Sequence, residues 1–103
     1  MTFDNVKDCF ANYLNEDTEC EVILTKHGYT VLVWDNRARD WDTCEYCGTP
    51  EMLLQSLIKA YKSFAELKIT GAMRNLTRKE KADIETKCKA IAKSLYNLEG
   101  NKV

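Results

Sequence analysis

The sequence predicts a single α+β domain over residues 1–103, with an N-terminal helix, a three-stranded antiparallel meander and two C-terminal helices. Three observations carry that prediction. Residues 21–34 form a run rich in β-branched and aromatic types, divided by Lys26-His27-Gly28. Thr49-Pro50-Glu51 has the composition of a helix start. Thr77-Arg78-Lys79-Glu80 fits a capping box and precedes apolar residues at helical spacing.

The elements follow in order. Thr2 can cap a first helix reaching about Leu14, with Asp4 well placed against the positive end of its dipole. Phe3, Val6, Phe10, Tyr13 and Leu14 recur at helical spacing and give it one apolar face. Residues 15–19 are polar and acidic and read as a loop. Glu21 to Thr25 and Tyr29 to Trp34 read as two strands of a hairpin, because Lys26-His27-Gly28 offers a tight turn with a glycine available for positive φ. A second return at 35–40 leads into a third, shorter strand over Trp41 to Tyr46. Val31 to Trp34 is apolar at every position, so cover is expected on both faces of the central strand, from helices or from a partner.

Proline at the first helical position behind a capping threonine then starts a helix that ends before Thr70-Gly71. Leu54, Leu57, Ile58, Tyr61, Phe64, Ala65 and Leu67 form its buried stripe. In the last helix Ile84, Cys88, Ile91, Leu95 and Leu98 step by four and three, the spacing of a packing seam, and Gly100 ends it.

Length and composition narrow the class. The chain has 103 residues, 45% hydrophobic and 30% charged, enough for one modest core and too few for two folded units with a cleft between them. No apolar run approaches membrane-spanning length, and the N-terminus lacks the basic and apolar regions of a signal peptide, so a cytoplasmic location is expected. Five cysteines at irregular spacing read as thiols in a reducing compartment. The net charge of −1 conceals an asymmetry: residues 1–50 hold four Lys/Arg against ten Asp/Glu, whereas residues 51–103 hold eleven against six.

Several constellations could carry chemistry. Cys44 and Cys47 form a Cys-x-x-Cys pair, and an antiparallel third strand would return both towards His27, gathering three zinc ligands with a fourth missing. A thiol enzyme centred on Cys44, Cys47 and His27 is the corresponding catalytic alternative. Against it, no His-x-Glu accompanies the pair as in zinc deaminases, and both cysteines precede the Thr49 cap and so miss the first helical turn that would stabilise a thiolate. The plainer account of residues 44–50 is a strand end, a turn at Gly48 and a helix cap. No cofactor is expected on that account, zinc being the alternative.

Nucleic-acid binding has a candidate in Arg74, Arg78, Lys79, Lys81, Lys87, Lys89 and Lys93, but Asp83 and Glu85 interrupt that strip and the sequence pI is about 5.8. The surface that stands out is Trp34, Asp35, Arg37, Arg39, Asp40 and Trp41. Two tryptophans flank a polar return, expected to face each other across the strands and set the register. Tryptophan and arginine are also the types enriched at binding hot spots.

The order helix, three antiparallel strands, two helices is similar to that of some small phage-encoded inhibitors of CRISPR nucleases, a likeness of element order without a shared motif. It implies occlusion of a partner. The expected function is a small non-enzymatic protein-binding module, an inhibitor of the mobile-element type. A homodimer through an exposed strand edge is the other assembly the sheet allows.

Overall fold

The structure, a computed structural model, describes residues 1–100, with side chains at all of these except 43 and 98–100. Its elements are α1 (Phe3–Cys9), α2 (Ala11–Glu16), β1 (Cys20–Thr25), β2 (Gly28–Asp35), β3 (Asp40–Cys47), α3 (Pro50–Thr70) and α4 (Arg78–Gly100). The expected class and element order are both present, as an antiparallel sheet of order β1-β2-β3 with helices before and after it.

The first helix departs from expectation. Thr2 does cap it, its Oγ1 accepting from the Asn5 amide at 3.1 Å. The expected continuous helix to Leu14, however, is broken at Phe10 (φ −102°, ψ 11°), whose amide reaches the Lys7 carbonyl at 3.1 Å in a tighter turn. Packing accounts for the break. Phe10 enters the core with 1% exposure, and the re-aimed α2 sets the Tyr13 ring against Tyr61 and Phe64, with centroids 5.4 and 5.5 Å away.

The β1–β2 hairpin closes with Thr25 opposite Gly28. Thr25 Oγ1 donates to the Gly28 carbonyl at 2.8 Å and accepts from the His27 amide at 3.3 Å. Between β2 and β3 the register shifts: Val33 faces Thr43 while Trp34 faces Trp41, leaving Asp42 as the extra residue of a bulge. β3 is longer than expected, because pairing continues to Asp40 at one end and Cys47 at the other.

Antiparallel pairing sorts the side chains into two faces. Cys20, Val22, Tyr29, Val31, Val33 and Cys47 share the face against which the helices pack. α3 lies on β2 and β3, α1 packs against α3, and α4 packs on α1 and α3 as the layer farthest from the sheet. Val6, Phe10, Val31, Cys47, Leu53, Leu57 and Leu95 are the fully buried centre. Tyr29 ties β2 to α1 through its hydroxyl, which donates to Asp4 Oδ1 at 3.1 Å, and its ring lies 5.2 Å from that of Phe3. Both the buried environment and the Asp4 bond push the Tyr29 phenol above its ordinary pKa.

Helix termini match the sequence closely. The Thr49 hydroxyl accepts from the Met52 amide at 3.2 Å, and Gly71 closes α3 in the left-handed region at φ 61°. On α3 the expected stripe is present, Leu57 fully buried and Leu54, Ile58, Tyr61 and Phe64 packed against the core, but it also takes in Leu53 and Ser56 and stops short of Leu67, which is 55% exposed. The α4 capping box is complete, with Glu80 N–H donating to Thr77 Oγ1 at 3.1 Å and Thr77 N–H to Glu80 Oε1 at 2.8 Å. Ile84, Cys88 and Leu95 are buried and Ile91 half-buried as the seam predicts; the Leu98 side chain lies outside the described residues.

Candidate partner-binding surface

The tip between β2 and β3 is built by its own side chains. Asp35 Oδ1 accepts from the amides of Arg37 (2.9 Å) and Ala38 (3.2 Å), the self-bonding that makes aspartate a turn former. Asp40 Oδ1 accepts from the Trp41 amide at 2.8 Å, and Arg39 takes the left-handed conformation at φ 52° that closes the return. The carboxylates of Asp35 and Asp40 are therefore engaged in the turn. Arg37 and Arg39 are exposed, and neither is in an ion pair among the described residues.

Trp34 and Trp41 face each other directly, their rings edge to face with centroids 5.1 Å apart. Trp34 is half-buried and Trp41 43% exposed. The pair thus packs across the strands and still offers an indole surface to solvent.

What the sequence reading left out is the surface on which the tryptophans stand. Among the described residues helices cover one face of the sheet and not the other, so the expected cover on both faces is met on one side alone. On the other side, cross-strand rows run Ile23, Thr30, Tyr46 and then Glu21, Leu32, Cys44, ending at Trp34 and Trp41. Ile23 (42%), Tyr46 (51%) and Trp41 are each about half exposed, and together with the half-buried Leu32 they form an open apolar and aromatic face. The signal was present in the consecutive apolar residues of 31–34, which only one layer of helices can half satisfy. Tyr46 is held in place: its hydroxyl donates to the His27 carbonyl at 2.6 Å, and its ring lies over Gly48.

The three candidate metal ligands do not come together. Cys44 and Cys47 are three apart on one strand, so the pleat sends them to opposite faces, Cys44 to the open face and Cys47 to full burial in the core. His27 sits exposed in the β1–β2 turn. Among the described residues no group of three or more His, Cys, Asp or Glu has the placement to hold a metal ion. Burial raises the Cys47 thiol above its ordinary pKa, only partly offset by a hydrogen bond with Ser56, the reverse of what a thiolate nucleophile needs.

The basic strip of the last helix is exposed but partly neutralised. Arg74 lies bidentate on Glu80 at 2.7 and 2.9 Å, whereas Glu85, one of the two acids that interrupt the strip, is itself paired with Lys62 of α3 at 2.6 Å. Among the described residues no helix is long and apolar enough to cross a membrane. Comparison with family models, curated proteins and solved structures finds no match to the chain, so the likeness to phage-encoded inhibitors rests on element order alone.

Proposed function

We propose that this chain is a cytoplasmic, non-enzymatic protein-binding module that covers a functional surface of one partner protein, an inhibitor of the kind mobile elements carry. The observation that supports this reading is the open sheet face of Ile23, Leu32, Trp34, Trp41 and Tyr46, continuous with a tip that presents Arg37 and Arg39. An exposed apolar patch with aromatic anchors and flanking arginines has the composition of a hot-spot interface. Asp35 and Asp40 contribute by holding the tip in shape.

Affinity capture from the host lysate, at two salt concentrations and after nuclease treatment, tests this proposal. One stoichiometric protein should be retained, and lost with Arg37→Glu and Trp41→Ala together. Because Trp41→Ala also removes a packing partner of Trp34, Arg37→Glu with Ile23→Asp reads the same surface with the indole pair intact; thermal melts establish that both variants fold. A partner bound equally well by both variants sinks the assignment, and retention lost on nuclease treatment replaces it with nucleic-acid binding.

A further inference from the structure

The helix-bearing side of the sheet holds a second opening. Past Val31 and Val33, α3 stands off from the strands and leaves a groove of about 250 Å³ floored by Val33, Ala60 and Phe64. Four carboxylates stand around it, Asp17, Glu19, Asp42 and Glu45, against the single ammonium of Lys59. An apolar slot of this size, below the roughly 300–1,000 Å³ of pockets that enclose drug-sized ligands, suits one long side chain.

We propose that this groove receives an arginine side chain presented by a partner protein. An arginine has an apolar stem to lie along Val33 and Ala60, and a planar cation that stacks on aromatic faces and takes carboxylates two hydrogen bonds at a time. Phe64 supplies the ring, which it shares with the Lys68 ammonium 5.8 Å from its centroid, while Tyr13, buried against Tyr61 and Phe64, contributes through its hydroxyl on Asp17. Asp17 is oriented in advance, because its Oδ2 accepts from the Tyr13 hydroxyl at 2.7 Å and its Oδ1 from the Glu19 amide at 3.1 Å. Lys59 answers only Glu45, at 3.4 Å, and among the described residues no cation pairs with Glu19 or Asp42. The bulge between β2 and β3 is what brings Asp42 to the rim. The groove and the Trp34–Trp41 surface lie on opposite faces of the sheet, so this inference does not depend on the proposed function.

The test is a ¹H–¹⁵N chemical-shift titration of the full chain with N-acetyl-arginine amide, set against N-acetyl-citrulline amide, its uncharged isostere. Saturable shifts at the amides of Val33, Ala60 and Phe64 are expected with arginine and not with citrulline. Glu19→Gln with Asp42→Asn, both at exposed positions, should weaken binding about tenfold, as loss of charge-assisted contacts requires. Ala60→Leu fills the groove with a good helix former and should abolish the shifts. Equal shifts with citrulline, no shifts with arginine, or wild-type binding by either variant overturns the proposal.

Discussion

Gly28 shows how one residue sets the hairpin. Its φ of +135° lies where L side chains rarely go, and an added Cβ would stand 2.7 Å from the Cys47 carbonyl oxygen of the neighbouring strand. Both the backbone and the space therefore demand glycine. Gly28→Ala should lose about 1–3 kcal/mol, the usual cost of a strained conformation, read as a lower midpoint of urea unfolding at unchanged slope. The sequence named this glycine as the turn residue, but the close approach of Cys47 follows from strand pairing. The same pairing separates Cys44 from Cys47. Spacing alone makes them look like a ligand pair, and only their position on a pleated strand sends one to solvent and the other to the core.

At the scale of the element, α4 carries the most legible signal and its ends can be tested. The Glu80 carboxylate, hydrogen-bonded first by Arg74 and then by the Thr77 amide, is held down to about 2. A carboxylate depressed in the folded state stabilises it fully above the ordinary glutamate pKa of about 4.3, and that contribution disappears as pH falls from there towards 2. Glu80→Gln should therefore be less stable than wild type at neutral pH, with the gap in urea midpoint closing as the pH is lowered through this window. Thr77→Ala removes the other half of the box, the hydroxyl that accepts from the Glu80 backbone N–H, and should cost about 1 kcal/mol at neutral pH by the same measurement. Helix starts are readable because capping is local chemistry, completed within four residues. The break at Phe10 was not readable, since the periodicity of Val6, Phe10 and Tyr13 suits a continuous helix; what turns the chain there is the need to seat Phe10 and Tyr13 against separate parts of the core.

Across the whole molecule, stability rests on one thin core in which a single sheet face meets α1 and α3, with α4 laid over them. Leu57 has no exposure and sits at its centre, so Leu57→Ala should cost about 2–5 kcal/mol, a large share of the stability of a chain this small, measured by thermal or urea unfolding. Local sequence accounts for the α+β class, the order of elements, both hairpin returns, the starts of the last two helices and the seam of α4, because each depends on residues near one another in the chain. Which sheet face the helices cover, and so that the tryptophans stand on a partly exposed aromatic surface, follows from long-range packing. The same packing decides that Asp17, Glu19, Asp42 and Glu45, distributed over the acidic half of the chain, gather around one apolar groove with residues of α3. Both outcomes turn on contacts between distant segments, and sequence periodicity records that a strand has two faces without recording which one will be left open.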